Sequence, residues 1–475
     1  MSDTTLARPG WQPKMLAGKS LCTADEAVAD MKSGDTIAVG GFGTVRNRAN
    51  QTLDALARRD DVKDLIAVAN GFPHQPLAAK RMVKKFIGAF GASVYGRANS
   101  TDDQIREGTL EFEPSPQGIF TERLRAGAAG IPAFFSPVGV HTVVADGKER
   151  RTIDGKEYVL ETAIKPDYGF VRAMKADELG NLTGIGSTWN FHPAVAGASR
   201  ITIAEVDEIV PTGSISPEDV KIPGIFVDRI VLHDPALDAE VLAGERTVRA
   251  RTRTEPEARV GIPPDLMAMK VASMLKPGQY VNLGMGLPTL VSNYIPDGVQ
   301  LHAENGFLGY GRKQSEEENT WWLYNASADP VVQHPGASFF DSVLSFTMAR
   351  GGHLDCVVLG GMQVSATGDL ANWWAPFMVA GGMGGAMDLC TDVPELVVMM
   401  DHVTKDGAMK ILNECVYPLT GKGCVTKIVT DLALIEVTPQ GLVLREVAPG
   451  VSPEYVQERT QPKLIVAPDC KEMEF

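Results

Sequence analysis

The chain carries the same pattern in both of its halves, and this internal repeat restricts the possible folds more than any other feature. Residues 31–41 (MKSGDTIAVGG) align with residues 275–285 (LKPGQYVNLGM) at a constant offset of 244 residues. In both copies we expect an amphipathic helix that ends at Lys-x-Gly, then a β-rich stretch and a glycine-rich loop. Two later pairs of segments match at shorter offsets: 180–182 with 368–370, and 227–231 with 425–429. Each half is therefore expected to be the same α/β unit.

The repeat predicts two domains, 1–240 and 265–475, with a linker over 241–264. The linker prediction depends on a charged, poorly periodic stretch that ends in Pro263-Pro264. A length of 475 residues agrees with two domains, because it exceeds what one hydrophobic core usually serves. Two like domains joined in this way are expected to pack as a pseudo-dimer with a cleft between them, where ligands commonly bind.

Charge and composition exclude several classes of partner. The formal net charge of −14 argues against nucleic acid, because phosphate binding needs a basic surface. The chain has no apolar run long enough to span a membrane, and its N-terminus lacks the pattern of a signal peptide. The six cysteines form no CxxC pair, which is typical of reduced thiols in the cytosol, and the eight histidines show no metal-ligand spacing. The sequence predicts a cytoplasmic protein with no metal and no membrane partner.

A glutamate in the second half is a candidate nucleophile. Glu304 begins the sequence Glu304-Asn305-Gly306 and stands twenty residues after Gly284, the start of a glycine-proline loop. The preceding segment 299–302 predicts a strand, and a carboxylate at a strand end beside glycine can be approached closely by another molecule's thioester. The alternative is a glutamate that caps a helix starting around Gly306. For Glu-Asn-Gly taken alone, that alternative is favoured.

Motifs spread along nearly the whole chain resemble those of one enzyme family, the class I coenzyme A transferases. In the first half the matching segments are 40–43 (GGFG), 116–118 (PQG) and 122–134 (ERLRAGAAGIPAF). In the second half they are 284–288 (GMGLP), 304–306 (ENG), 335–340 (PGASFF), 350–355 (RGGHLD), 368–373 (GDLANW) and 382–389 (GMGGAMDL). The pattern is most similar to the 3-oxoacid (succinyl-CoA type) transferases with fused α and β halves. The resemblance implies two related open-sheet α/β domains of the NagB/RpiA/CoA-transferase-like type, with the α-like domain first.

The resemblance also implies a mechanism in which coenzyme A moves from an acyl-CoA donor to a carboxylic acid, 3-oxo or related, by ping-pong kinetics. The family's nucleophilic glutamate falls on Glu304, which would carry coenzyme A as a glutamyl thioester. The family's backbone donor to the tetrahedral oxyanion falls on Gly385. The structural interpretation of residues 382–385 is a tight turn into a helix, and both interpretations can hold at once. Coenzyme A is then a substrate, with no permanently bound cofactor, and the assembly is expected to be a homodimer or homotetramer.

The family motifs imply which residues bind coenzyme A and substrate. These are Gly40, Gly41, Gly43, Asn50, Gly284, Gly286, Asn305, Gly306 and Gly384. One segment of the second half, 376–379 (PFMV), departs from the usual family pattern, and so do three segments of the first half: 44–50 (TVRNRAN), 69–72 (ANGF) and 87–90 (IGAF). They make Arg46, Arg48, Phe72 and Phe90 possible substrate contacts. The departures favour an acid larger than acetoacetate or differently charged, and ordinary drift in loops is the alternative.

Two other functions remain open at this stage. One is an acyl-CoA thioester hydrolase on the same scaffold, in which water replaces the acceptor acid. The other is a non-catalytic ligand-sensing protein, although the intact Glu304-Asn305-Gly306 sequence argues against it. A basic cluster within residues 80–85 is interpreted as a solvated helix face, with contact to coenzyme A phosphates as the alternative.

Overall fold

The computed structural model describes residues 12–91, 100–237, 260–318 and 320–475. These residues form two compact units. The first unit is drawn from Met1–Phe134, Glu161–Pro256 and Phe340–Val343, and the second from Phe135–Leu160, Glu257–Phe339 and Leu344–Phe475. Two segments therefore belong to the unit formed mainly by the other half of the chain.

Most of the expected linker over 241–264, namely residues 241–259, lies outside the described residues. The domain boundaries and the pseudo-dimer therefore stay predictions. After residue 259, the next helix begins at Pro264. Proline is favoured at the first position of a helix, because its missing N–H would have no partner in the first turn.

The helices of the described residues are short. In chain order they are α1 (Ala24–Ala27), α2 (Asn50–Arg58), α3 (Gln75–Ala79), α4 (Ser100–Glu107), α5 (Gln117–Ala128), α6 (His192–Ala198), α7 (Pro264–Met274), α8 (Ser342–Arg350), α9 (Ala386–Leu389) and α10 (Pro453–Gln457). None of them, in the parts of the chain that are described, has both the length and the apolar character needed to cross a bilayer.

The strands account for most of the regular structure. The first twelve are β1 (Ser20–Leu21), β2 (Thr36–Val39), β3 (Leu65–Ala69), β4 (Val83–Gly88), β5 (Glu111–Pro114), β6 (Ala133–Ser136), β7 (Arg150–Ile153), β8 (Lys156–Thr162), β9 (Tyr168–Asp177), β10 (Leu182–Thr183), β11 (Ile201–Val210) and β12 (Arg229–Leu232). The others are β13 (Tyr280–Leu283), β14 (Gln300–Ala303), β15 (Phe307–Lys313), β16 (Val331–Phe339), β17 (Cys356–Gly360), β18 (Gln363–Ser365), β19 (Leu370–Ala371), β20 (Glu395–Met399), β21 (Ile411–Leu412), β22 (Lys427–Val429), β23 (Ala433–Thr438), β24 (Gly441–Val447) and β25 (Ile465–Glu472).

The first unit is built on an open, largely parallel sheet. Its strand order is β1-β12-β11-β9-β2-β3-β4-β5, and short β10 pairs antiparallel with β9. Its central strands are nearly continuous apolar runs, such as LIAVA in β3, because a parallel sheet is covered on both faces. The glycine-rich loop that begins at Gly40 follows β2 and lies at the carboxyl edge of this sheet, where ligands of open α/β sheets usually bind.

The second unit contains a mixed open sheet. Its strand order is β16-β15-β14-β13-β17-β20-β22-β23-β24-β25, and the central strands β14, β13, β17, β20 and β22 run parallel. The smaller sheet β19-β18-β21 lies in the same unit. Two open-sheet α/β units therefore confirm the predicted fold class.

Two local predictions need correction. A helix that ends at Lys-x-Gly occurs in the second copy, where α7 stops just before Lys276, but in the first copy α1 ends at Ala27, well before Lys32. The basic cluster is not a helix face either, because α3 ends at Ala79 and Lys85 lies in β4. Lys85 pairs at 2.8 Å with Glu111 and Glu113 of neighbouring β5.

Candidate functional site

Glu304 lies at the end of a buried strand, as the sequence predicts. It follows β14 directly, and its exposed fraction is 5%. Gly306 has a φ of 101°, a conformation that a residue with a side chain rarely adopts, and its N–H donates to the Ala303 carbonyl at 3.0 Å. The turn leads into β15, which pairs antiparallel with β14. The alternative of a helix starting around Gly306 is therefore wrong.

A hydrogen-bonded network surrounds the Glu304 carboxylate. Asn282 of β13 and His302 of β14 are paired in register, so their side chains lie side by side. The Asn282 amide nitrogen lies 3.0 Å from His302 Nδ1 and 3.4 Å from Glu304 Oε2. His302 Nε2 lies 2.9 Å from the hydroxyl of Ser345 in α8, and that hydroxyl donates to the Ala303 carbonyl at 3.3 Å. The network joins three elements around one carboxylate.

The direction of these hydrogen bonds follows from the donor inventory. The Ser345 hydroxyl donates to a carbonyl, so its oxygen accepts from His302 Nε2–H. Burial lowers the pKa of His302 to about 4, so the ring is neutral and Nδ1 carries no hydrogen. Nδ1 can then only accept, and it does so from the Asn282 amide. The network therefore points the amide N–H₂ of Asn282, rather than its oxygen, at Glu304.

Two buried acceptors near this network have no donor among the described residues: Asn282 Oδ1 and Asn305 Oδ1. The Asn305 amide nitrogen donates to the Tyr324 carbonyl at 2.9 Å, which fixes that side chain. Buried polar atoms are satisfied in the great majority of cases. Two acceptors without donors are therefore consistent with a ligand that brings N–H or O–H groups.

The environment of Glu304 changes its acidity. Burial raises the pKa of its carboxyl to about 7, and the nearby Asp388 carboxylate acts in the same direction. The hydrogen bond from Asn282 opposes this rise but does not cancel it. A carboxyl with this pKa is partly ionised at neutral pH, and its ionised form has little water to stabilise it. Such a carboxyl is ionised in part of the molecules at neutral pH, and its poorly hydrated carboxylate is a reactive nucleophile.

An ion pair holds the second carboxylate close to Glu304. Asp388 of α9 is fully buried and pairs at 3.1 Å with Arg350, the last residue of α8. The arginine offsets the cost of burying Asp388. The pair therefore limits the negative charge that Glu304 experiences.

The expected glycines of the second unit have identifiable backbone roles. A β-carbon on Gly284 would stand 2.9 Å from a Leu359 methyl, so the glycine permits close packing against β17. Gly286 has a φ of 84° and precedes the 3-10 helix Leu287–Asn293. Gly384 has a φ of 52°, and Gly385 is the N-cap of α9, so the predicted tight turn into a helix is confirmed.

The remaining expected residues lie in the first unit, and a histidine that the sequence analysis did not single out as a site residue shapes their loop. A β-carbon on Gly40 would stand 2.1 Å from Nδ1 of buried His192, so only glycine fits there. The Gly41 N–H donates to Asn190 Oδ1 at 3.2 Å, and His192 Nε2 lies 3.1 Å from Asn47 Oδ1. Burial lowers the pKa of His192 to about 3, so the ring supporting the loop is neutral.

The other first-unit candidates lie at the carboxyl ends of β2, β3 and β4. Arg46 lies in a 3-10 turn after the glycine loop, and Arg48 donates to the Pro73 carbonyl at 3.4 Å. Phe72 packs on the core, with its ring 5.4 Å from that of Phe86, and Phe90 is 8% exposed. Among the residues predicted to bind coenzyme A and substrate, Gly43 of the first unit and Gly286 of the second are exposed. Asn50 is buried at the start of α2.

Five residues of this site were not predicted from the sequence: Asn282, His302, Ser345, Arg350 and Asp388. A signal was present for the first two, because each is a polar residue between two buried apolar neighbours in its strand. Within the described parts of the chain, no cluster of three or more His, Cys, Asp or Glu side chains could hold a metal ion.

Comparisons with known proteins identify one family. Residues 22–233 and 265–459 match the coenzyme A transferase family. The human protein named succinyl-CoA:3-ketoacid coenzyme A transferase 2, mitochondrial, is 36% identical over 94% of this chain and 90% of its own length. One subunit of the Pseudomonas putida 3-oxoadipate CoA-transferase is 48% identical over 42% of this chain and 94% of its own. The Escherichia coli acyl-CoA transferase YdiF, solved as a thioester complex with CoA, is 22% identical with a TM-score of 0.78, covering 98% of this chain and 97% of its own.

Proposed function

The chain belongs to the coenzyme A transferase family and is a CoA-transferase, and on this basis we propose that it moves coenzyme A from an acyl-CoA to a 3-oxo or related carboxylic acid through a thioester on Glu304. The succinyl-CoA:3-ketoacid names of relatives that match 94% of the chain support this substrate class. The single observation that supports Glu304 as the nucleophile is its burial at a strand end, under the amide of Asn282, with a pKa raised to about 7.

The reaction divides one acyl exchange into several displacements. The Glu304 carboxylate attacks the thioester carbonyl, and the coenzyme A thiolate leaves as a mixed anhydride forms. The thiolate then attacks the glutamyl carbonyl, which releases the first carboxylate and leaves a glutamyl thioester. A second carboxylate reverses these steps and departs as its own acyl-CoA. This is covalent catalysis with ping-pong kinetics.

The donors around Glu304 fit these steps. When the glutamyl carbonyl is attacked, negative charge develops on its remaining oxygen, which needs a donor that already points at it. The Asn282 amide at 3.4 Å from Oε2 is such a donor, and the Gly385 backbone N–H is proposed as a second. Desolvation of Glu304 supports the attack, because an ionised carboxylate with few waters reacts without first shedding them.

The test of the function is a panel of acyl-CoA donors crossed with short, branched, dicarboxylic, aromatic and 3-oxo acids. Each reaction is followed for the new acyl-CoA and for coenzyme A released to water. We expect transfer to exceed hydrolysis with at least one 3-oxo acid. Hydrolysis that proceeds unchanged whether or not an acid is added would identify a thioesterase instead.

The same panel tests whether the first unit has been adapted to an acid other than acetoacetate. A few altered contacts typically change kcat/KM between competing acids by roughly 10–200-fold. If kcat/KM for succinyl-CoA with acetoacetate is at least as high as for every other pair, the hypothesis of adaptation is wrong. The cytoplasmic location and the homodimeric or homotetrameric assembly stay predictions.

The first prediction concerns pH. Because Glu304 attacks as a carboxylate and its pKa is about 7, kcat/KM for the acyl-CoA should fall about tenfold for each pH unit below that value. The measurement is kcat/KM from about pH 5 to 9 at constant ionic strength. A profile that turns down only near pH 4.5, the ordinary pKa of a glutamate, would contradict the burial argument.

The second prediction tests the tautomer of His302. Ser345→Ala removes the oxygen that accepts from Nε2–H, so the ring can carry its hydrogen on Nδ1 and turn the Asn282 amide. We expect kcat to fall roughly tenfold, the equivalent of one hydrogen bond of about 1.4 kcal/mol. Loss of the Asn282 donor should also raise the pKa of Glu304 and move the pH profile upward.

Ser345→Thr is the matched control for this change, because it keeps the hydroxyl. It should retain the parent's profile. A role of Ser345 in stability alone predicts a lower melting temperature for Ser345→Ala with an unchanged midpoint of the pH profile, and that result would overturn the positioning role of His302.

The third prediction concerns the arginines of the first-unit loop. If Arg46 or Arg48 binds a substrate carboxylate or a coenzyme A phosphate, alanine at that position should raise KM roughly tenfold. Arg58→Ala is the matched control, since Arg58 makes a surface ion pair with Asp25. If both loop variants behave like Arg58→Ala with every active substrate, Arg46 and Arg48 are ordinary surface charges.

A further inference from the structure

A cavity of about 580 Å³ lies within the second unit, beside the helix that carries Asp388. Met387 lines this cavity, and its neighbour Asp388 acts on the pKa of Glu304. Helix α9 therefore has one residue at the cavity and the next residue close enough to Glu304 to act on its pKa. Lys156 forms an ion pair with Asp392 at the cavity, and exposed Lys422 also lines it.

Two cysteine thiols line the cavity together, Cys390 and Cys424. A β-carbon on Gly421 would stand 2.7 Å from the sulfur of Cys424 and 3.2 Å from the sulfur of Cys390, so both sulfurs border the space that this glycine leaves open. The neighbouring Cys424 thiol and burial together raise the pKa of Cys390 well above its ordinary value. Both residues are half-buried, with neither sealed in the core.

We propose that Cys390 and Cys424 form a thiol modification site that takes a small organic disulfide from the cavity and closes to an intramolecular disulfide. One thiolate attacks the reagent, releases one small thiol and leaves a mixed disulfide. The second protein thiolate then attacks that mixed disulfide and releases the second small thiol. Two protein S–H bonds and the reagent S–S bond are exchanged for one protein S–S bond and two reagent S–H bonds. The protein loses two electrons and the reagent gains them.

Charged groups of both signs line the cavity, which suits a reagent that carries both signs of charge. The lysines are Lys422 and Lys156, the acidic residues are Glu157 and Asp392, and Lys156 is paired with Asp392. Oxidised glutathione, which carries both carboxylates and ammonium groups, is therefore the probe for the test. A third thiol of the same region is that of Cys415, whose pKa is raised by burial and also by Cys424.

The test uses the full chain treated with oxidised glutathione, alkylated to block remaining thiols, and digested without reduction. Mass spectrometry should find the Cys390 and Cys424 peptides joined. Gly421→Ala should reduce that product by about tenfold or more, because the added methyl occupies the space between the sulfurs. Should that variant not fold, Cys390→Ser serves instead and should stop at a single glutathione on Cys424. No joined peptide, or joining of Cys415 to Cys424 as the main product, would overturn the proposal.

Closing this disulfide is expected to slow the transfer reaction, and this consequence rests on the proposed function. Cys390 is the C-cap of α9, and its N–H lies against the Ala386 and Asp388 carbonyls. A shift of α9 by about an ångström would lower kcat by up to about 10²-fold, and dithiothreitol should restore it. A fully formed disulfide with an unchanged rate would overturn the coupling. Absence of transfer in the reduced enzyme as well would instead contradict the proposed function.

Discussion

Replacing Glu304 by alanine is expected to lower the rate of coenzyme A transfer by on the order of 10⁴-fold or more, the scale of losing a covalent nucleophile. The parent protein, mixed with a competent acyl-CoA and no acceptor and then quenched in acid, should carry coenzyme A on the peptide that contains Glu304. Mass spectrometry should find no adduct in Glu304→Ala. Glu304→Asp should also be poor, by on the order of 10²-fold, because the shorter side chain withdraws the carboxylate by about an ångström.

Glu304→Gln is the matched control for folding, since it keeps the shape and removes the charge. The folded pKa of about 7 lies above the ordinary 4.5, so the contribution of Glu304 to stability is fully present below about pH 4.5 and is lost as the pH rises through about 7. The glutamine variant should therefore match the parent in acid and melt at a higher temperature above pH 7. Normal transfer by Glu304→Ala would overturn the mechanism, and equal melting of parent and glutamine variant at every pH would contradict the burial of the charge.

The second large effect is on stability. Arg350→Met should destabilise the second unit by about 3 kcal/mol, because it leaves the fully buried Asp388 carboxylate without its arginine. The same change removes the arginine charge beside Asp388, so the pKa of Glu304 should rise and the pH profile of transfer should move upward. Calorimetric unfolding measures the first effect, and kcat/KM against pH measures the second.

A double variant separates charge from packing in this result. Arg350→Met combined with Asp388→Leu removes both charges, and replacing a buried pair by apolar side chains is often neutral or stabilising. We expect the double variant to recover most of the lost melting temperature. If the single variant is as stable as the parent, the ion pair does not offset the burial of Asp388.

The features that the sequence predicts well are those that local pattern determines. The strand before Glu304 and the turn from Gly384 into α9 follow from apolar runs and glycines within a few residues. The alternative of a helix at Gly306 was wrong because Glu-Asn-Gly alone does not distinguish a helix start from the tight turn between β14 and β15. The basic cluster was misassigned for a similar reason, since α3 ends after Ala79 and Arg81 adopts a φ of 53°.

The features that the sequence does not predict depend on the register of distant segments. Asn282 meets His302 only because β13 and β14 run parallel with those residues opposite each other. His192 explains Gly40 only once α6 is placed against β2, across a long stretch of chain. A polar residue between buried apolar neighbours indicates that it has a hydrogen-bonding partner. Which residue that partner is depends on the topology of the sheet, which the local sequence does not give.

The exchange of segments between the units has a consequence for biosynthesis. The Ser342 N–H donates to the Asn190 carbonyl at 2.9 Å, and the side chain of Asn190 holds the Gly41 N–H. Residues 340–343, which belong to the first unit, thus brace the glycine loop near its start. The ribosome synthesises residues 340–343 only after about seven tenths of the chain. The nascent first unit can therefore complete its sheet before it can form the contacts that hold its glycine loop, because those contacts need a segment from the second half of the chain.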